Sequence, residues 1–472
     1  LAGSTWEIAA ISFSNPLSSV TILLSGVAGL RLHRREEECF MEDERMTLQQ
    51  KLAQRELRLP PAFVYILLGY LWRLLFLRRL NVHFEYKVDL REYRKGPYIV
   101  VTNHASRLDY IYTGVAFLPQ RLNYLAGYNE FFRSHLAFVF RLLQVIPKRN
   151  FVSDIYATRQ IDSLIRRGGK VIVFPEGMSS ISGSNQPCAL GSGQLLRRYK
   201  VPVLMTKIKG GYLTNTKYCL DERPGRVDVE ISLLFSPEAL EGMSDEEAQA
   251  KLDEAIRHDD YAWNKKERVK FDGKGRMAHN LHHLLYWCPR CGAEFSMKGE
   301  SDAIRCSRCG NGAKLNGYYD LVPLDETCVV PETPRAWFDL ERKKVYRELL
   351  DPAFSLRERV RLGVLPKHEY LRDQKTSEIV GEGELSLDRG GLRYQGTKEG
   401  ASYSFHISPP QLPTYGMCTD VSRFYTFYRG EFHEFFPEGE TVAKWLLATE
   451  EIHRLGGGRW RNFPDATTYD PD

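Results

Sequence analysis

Short apolar runs separated by polar, glycine-bearing segments set the rhythm of the middle of the chain. Tyr98-Ile99-Val100-Val101-Thr102 and Lys170-Val171-Ile172-Val173-Phe174 are apolar without alternation, as expected of strands covered on both faces. Val201-Pro202-Val203-Leu204-Met205 and Val227-Asp228-Val229-Glu230-Ile231 supply further strands. Ser153 stands where it could cap a helix ending at Gly168-Gly169, and Ser244 with Glu247 forms a capping box that opens another. Strands alternating with helices predict an α/β domain over residues 46–270 with a mostly buried central sheet.

The stretch from Pro61 to Leu80 is rich in Leu and aromatics, holds Arg73 and closes on Arg78-Arg79. A spanning helix needs about 20 apolar residues, and an arginine inside it is costly. Residues 61–80 are therefore expected to form a helix lying in a membrane interface, its arginines reaching phosphates and Trp72 and Tyr70 at headgroup depth. A buried core helix is the alternative. Pro16–Leu30 is shorter, broken by Ser and Gly, and has no positive leading region, so it does not read as a signal peptide. It falls within residues 1–45, read as an N-terminal extension outside the native start, since the first methionines are Met41 and Met46.

Further on, Arg257–Arg276 is rich in Lys, Arg and Asp and reads as a connector. A helix-like segment follows around Trp337–Leu350. Glu382–Phe436 then alternates in short β runs with turns at Asp388-Arg389-Gly390-Gly391 and Arg429-Gly430, and Val442–Leu455 reads as a closing amphipathic helix through Trp445. Residues 326–472 are thus expected as a small β domain with a closing helix, faintly similar to a pleckstrin-homology-like barrel. Such a domain could bind lipid headgroups, a protein partner or nothing beyond its own chain.

At 472 residues the chain has room for about three domains. With 43% hydrophobic and 26% charged residues it is neither disordered nor a multi-span membrane protein. A formal charge of +5 is too small for whole-protein attraction to nucleic acid. The nine cysteines change the picture more. Cys39, Cys188, Cys219, Cys328 and Cys418 are scattered, whereas Cys288, Cys291, Cys306 and Cys309 form two C-x-x-C pairs, each followed by glycine. This is the spacing of a zinc ribbon, placed with its linker in residues 271–325, and four thiolates leave no open position, so the metal is structural. His282 and His283 lie close by but are not needed. Arg290, Arg305 and Arg308 are few and lack an aromatic platform, so no nucleic-acid partner is expected. Thiolates used this way point to a reducing compartment and the cytoplasmic side.

Chemistry gathers after the strand ending at Thr102, where Asn103, His104, Ser106 and Asp109 follow at the carboxyl end, the place α/β sheets put ligands. On a straight helix His104 and Asp109 would stand about 140° apart. They meet only if His104 precedes the first turn and Asp109 lies within it, where Asp109 would fix the imidazole tautomer and leave the other nitrogen to take a proton from an alcohol.

Asn103-His104-x-Ser106-x-x-Asp109 resembles the first motif of the glycerolipid acyltransferases that include the 1-acylglycerol-3-phosphate type, and Phe174-Pro175-Glu176-Gly177 resembles their third. Val145-Ile146-Pro147-Lys148-Arg149 is similar to the second and Val201-Pro202-Val203 to the fourth, the likeness covering roughly residues 60–250. It implies His104 as general base on an acceptor hydroxyl that attacks an acyl-CoA or acyl-carrier-protein thioester, with Asp109 orienting it. It implies Arg149, assisted by Lys148, against the acceptor phosphate, and Glu176 and Gly177 shaping the acceptor pocket. The third motif departs from the family by continuing Met178-Ser179-Ser180, without the usual arginine. The function expected is acylation of a lysophospholipid, lysophosphatidic acid first, by a peripheral or monotopic enzyme at a membrane surface. The alternative is a non-catalytic lipid-binding scaffold recruiting partners through the ribbon and β domain.

Overall fold

The computed structural model describes residues 46–373 and 375–458; the extension at 1–45, with its apolar stretch, lies outside them. Seven strands form the first sheet: β1 (Val82–Tyr86), β2 (Tyr98–Thr102), β3 (Asn123–Gly127), β4 (Ile146–Lys148), β5 (Lys170–Val173), β6 (Val203–Lys209) and β7 (Val227–Phe235), in the order β1-β7-β6-β2-β5-β3-β4. β2 runs parallel to both β5 and β6 and is buried at all five residues, as its unbroken apolar run requires. Only β6 and β7 pair antiparallel.

Sequence and structure differ at several places. The helix expected from Ser153 spans Ile155–Arg166 and is capped by Asp154, whose carboxylate accepts from the Ala157 amide at 3.1 Å and from the Arg149 amide at 2.7 Å. Asp154 wins because it ties the helix start to the end of β4 as well. The Arg257–Arg276 connector contains a helix, Asp260–Glu267, capped by Asp259 and anchored through buried Tyr261 and Asn264, while its lysines stay outside. The Ser244–Glu247 capping box is present.

Residues 61–80 form an α-helix, Ala62–Trp72, continued by a π-turn, Arg73–Leu77. Phe63, Leu67, Tyr70 and Leu74, spaced four, three and four apart, share one exposed face, with Phe63 78% accessible. Trp72 is buried, packed edge-on to Tyr110, and does not stand at the surface beside Tyr70. No helix among the described residues is long and apolar enough to cross a membrane.

The cysteine segment folds as a four-stranded antiparallel sheet of β8 (Met297–Glu300), β9 (Ala303–Cys306), β10 (Gly312–Leu315) and β11 (Leu321–Pro323). After a helix at Pro334–Leu349 come β12 (Ser355–Val364), β13 (Glu378–Asp388), β14 (Gly391–Lys398), β15 (Ala401–Ile407), β16 (Gly416–Met417), β17 (Phe424–Tyr428) and β18 (Glu431–Pro437). Their order, β15-β14-β13-β12-β18-β17-β16, is a meander that returns to its first strand.

The closing helix Val442–Leu455 is not amphipathic. Every residue from Val442 to His453 is buried. Its charges are met inside the protein: Glu450 and Glu451 pair with Arg342 of the Pro334–Leu349 helix at 2.6 and 3.3 Å, and Lys444 pairs with Glu294 of the ribbon at 2.7 Å. One apolar cluster runs from Met178, Ile181 and Tyr212 through Leu281, Cys288 and Cys306 to Trp337, Phe435 and Trp445, so the ribbon is wedged between the other two parts.

Candidate active site

Asn103 extends the β2–β6 pairing with its side chain: Oδ1 accepts from the Ile208 amide at 2.7 Å and Nδ2 donates to the Ile208 carbonyl at 2.8 Å. That mock ladder step carries the chain out of the sheet and presents His104 ahead of the helix Asp109–Ala116. His104 Nδ1 lies 2.9 Å from Asp109 Oδ2. The same oxygen accepts from the Ser106 amide at 2.8 Å, and Oδ1 accepts from Ser106 Oγ at 2.9 Å. Asp109 is fully buried, and that burial pushes its pKa up while His104 and the Ser106 donors pull it back. Assigned from these partners, Nδ1 carries the proton and Nε2 keeps a lone pair with no protein partner among the described residues.

Glu176 acts on His104 from behind. Its two carboxylate oxygens accept from the His104 amide and the Gln186 amide, each at 2.6 Å, and the Ser180 amide donates to the His104 carbonyl at 2.7 Å. The third-motif segment thus clamps the histidine's backbone on both sides. Burial pushes the Glu176 carboxyl up to about 8, opposed by the two amide bonds. Gly177 adopts φ +72°, and a Cβ there would stand 3.3 Å from the Phe151 ring, so the turn suits glycine on both counts.

These residues open on a cavity of about 1110 Å³ whose walls include His104, Lys148, Glu176 and Gly177. It exceeds the usual small-ligand pocket and has room for a long chain.

In the ribbon, Cys288 Sγ lies 3.6 Å from Cys309 Sγ and Cys291 Sγ 3.8 Å from Cys306 Sγ, and all four sulfurs lie within 4.8 Å of one another. Four sulfurs on a tetrahedral zinc stand about 3.8 Å apart, so this donor set fits zinc. Gly292 and Gly310, at φ +72° and +76°, close the two knuckles.

Residues 79–208 match the family model described as acyltransferase. The chain carries an acyltransferase domain. Residues 282–311 match a zinc-ribbon family described as DNA directed RNA polymerase, 7 kDa subunit. Among solved structures, the chain is similar to the 1-acyl-sn-glycerophosphate (LPA) acyltransferase PlsC from Thermotoga maritima, at 20% identity over 53% of this chain and 95% of that one, with a TM-score of 0.37. No curated protein matches the chain.

Within the acyltransferase domain, the structure separates the two basic residues of the second motif. Lys148 reaches the cavity wall, where its ammonium donates to the Val152 carbonyl at 3.1 Å and burial lowers its pKa. Arg149 is not on that wall; its guanidinium lies over the Tyr128 ring, 4.3 Å from the centroid. The sequence reading also missed a wall of the cavity. Met417, Asp420, Arg423 and His453 of the C-terminal part face the acyltransferase domain across it. No local pattern marks those residues, because only the tertiary packing brings them there.

Proposed function

We propose that the chain transfers an acyl group from a thioester, acyl-CoA or acyl-carrier protein, to the free hydroxyl of a lysophospholipid, with lysophosphatidic acid the first acceptor to consider. The observation that carries this reading is the His104–Asp109 couple in the acyltransferase domain, with Nε2 unpartnered at the wall of a chain-sized cavity. In the step proposed, the acceptor oxygen bonds to the thioester carbonyl carbon as Nε2 takes its proton. Collapse of the tetrahedral adduct breaks the carbon–sulfur bond, and the imidazolium returns the proton to the leaving thiol. Asp109 holds the Nδ1–H and balances the transient charge. Lys148, the second-motif cation on the cavity wall, is the residue assigned in this reading to an acceptor phosphate. The four cysteines would hold a structural zinc with no open position for chemistry.

The exposed face of Phe63, Leu67, Tyr70 and Leu74, bordered by exposed Arg73, Arg78 and Arg79, supports docking on an anionic lipid surface as a peripheral or monotopic enzyme. Trp72 of the same helix lines the cavity, which connects the lipid-facing element to the site. Thiolate ligands favour the cytoplasmic face. Purified protein offered a labelled acyl thioester and a panel of lysolipids should label at least one of them. Absence of transfer to every acceptor, with both donor types, would sink this reading.

A further inference from the structure

Lys217 is 6% exposed, yet it has no ion-pair partner among the described residues. Its ammonium makes one long hydrogen bond, 3.4 Å to Ser179 Oγ, although it carries three donors. Burial first, and Arg107 to a lesser degree, pull its pKa down to about 8 against the opposing influence of Cys418, Asp420 and Glu130. Arg107 is in a similar state: Nη1 is buried without a partner, Nη2 donates to the Leu220 carbonyl, and burial lowers its pKa. Asp420, Glu130 and Glu222 act on the two cations from further off, but neither has a carboxylate within ion-pairing distance among the described residues, and like charges so placed are costly unless an anion joins them. Arg107 lines the cavity, and Lys217 lies one layer behind its wall, bonded to the lining residue Ser179. Ser180, next to Ser179, bonds the His104 carbonyl, and Arg107 follows His104 by three residues, so both cations attach to the segments that hold the histidine.

A strained turn fixes Lys217 from the far side. Between β16 and β17, Asp420 and Val421 adopt φ +91° and +58°, and a β-branched residue in that region is a genuine outlier. Such strain persists where the surroundings over-determine it, and here they do. The Asp420 amide donates to the Lys217 carbonyl at 2.8 Å, His283 Nδ1 lies 2.8 Å from the Asp420 carbonyl, and the Val421 amide donates to the Cys418 carbonyl at 3.2 Å. The turn therefore joins the acyltransferase domain to the segment entering the ribbon, and it lines the cavity beside the lysine.

We propose that Lys217 and Arg107 form a phosphate-binding subsite, positioned by the Cys418–Arg423 turn, that grips a phosphate group of one of the two substrates. The proposal rests on the acyl-transfer reading for which substrate is held, the lysophospholipid acceptor or a CoA donor, but not for phosphate binding itself. Lys217→Met keeps length and removes the charge. It is expected to raise the KM for lysophosphatidic acid, or else for acyl-CoA, by about tenfold or more, while Lys217→Arg restores part of the loss. The arm that moves names the phosphate held, and monoacylglycerol as acceptor separates headgroup from chain. Removing an unpaired buried charge should also raise the thermal unfolding midpoint, which loss of a merely structural contact would lower. Independently of turnover, glycerol 3-phosphate should raise the midpoint of the wild-type protein and fail to raise that of Lys217→Met. Unchanged KM values for both substrates together with equal glycerol 3-phosphate shifts would overturn the subsite. Should the wild type consume no thioester, the acyl-transfer reading fails, and the glycerol 3-phosphate comparison alone decides this one.

Discussion

Two close histidine–aspartate pairs among the described residues differ in what surrounds them. His104 and Asp109 meet at 2.9 Å, His258 and Asp260 at 2.6 Å, and both aspartates are buried. Asp260 spends its oxygens on the Gly210 and Tyr212 amides, each at 2.7 Å, so its pair staples the turn after β6. His258 is bound through Nε2 and does not reach the cavity. His104 is bound through Nδ1, stands on the cavity wall and keeps Nε2 unpartnered among the described residues. The pair by itself therefore says little about chemistry; which nitrogen is engaged and where the other one looks decide the role.

Exchanging the carboxylates should break the two pairs in different ways. Asp109→Asn puts an amide where the Nδ1–H and two Ser106 donors need acceptors, so the tautomer is lost, and turnover should fall by about 10²–10⁴-fold with the fold retained. Asp260→Asn leaves one acceptor for two buried amides and should cost about 1–3 kcal/mol of stability, with the smaller effect on the rate. Steady-state kinetics and thermal unfolding on both variants check the crossover. Equal loss of activity in the two would erase the distinction.

Glu176→Gln probes the clamp behind His104. A glutamine has one acceptor where two amides need one each, so activity should drop by about 10–100-fold through a displaced histidine. Glu176 also carries a pH signature. Its carboxyl holds a proton up to about 8 in the folded chain against 4.5 ordinarily, so between those values the folded state binds more protons than the unfolded one. Stability should accordingly fall as pH rises through this window, and the difference between wild type and Glu176→Gln should show that slope. A flat difference would mean that the two amide bonds keep the group charged.

Zinc removal should act on stability more than on the chemical step. The ribbon shares its core with both neighbours, so a chelator strong enough to strip the metal should lower the unfolding midpoint, and the untreated protein should contain about one zinc per chain. Metal analysis before and after chelation, with the unfolding curves, checks both statements.

How much of this was legible in the sequence follows from distance along the chain. His104, Ser106 and Asp109 lie in one short segment between a strand and a helix, so their meeting could be argued from local geometry alone. The sheet was legible because β2 and β5 are unbroken apolar runs. Glu176 could be singled out from its motif, but its bond to the His104 amide joins segments 72 residues apart and is set by tertiary packing alone. The buried Lys444, Glu450 and Glu451 defeated the reading of the closing helix, because charged residues look solvent-facing until their partners are known. Asp420 and Val421 are invisible for a related reason: nothing about an Asp-Val pair announces left-handed backbone.

The central claim is that His104 Nε2 takes the proton of an acceptor hydroxyl. Thiol release from an acyl thioester in the presence of the best lysolipid acceptor, compared between wild type and His104→Ala of matched zinc content and unfolding midpoint, tests it most directly. The account predicts acceptor-dependent release by the wild type and a loss of about 10²–10⁴-fold in the variant; release at the wild-type rate by His104→Ala would contradict it.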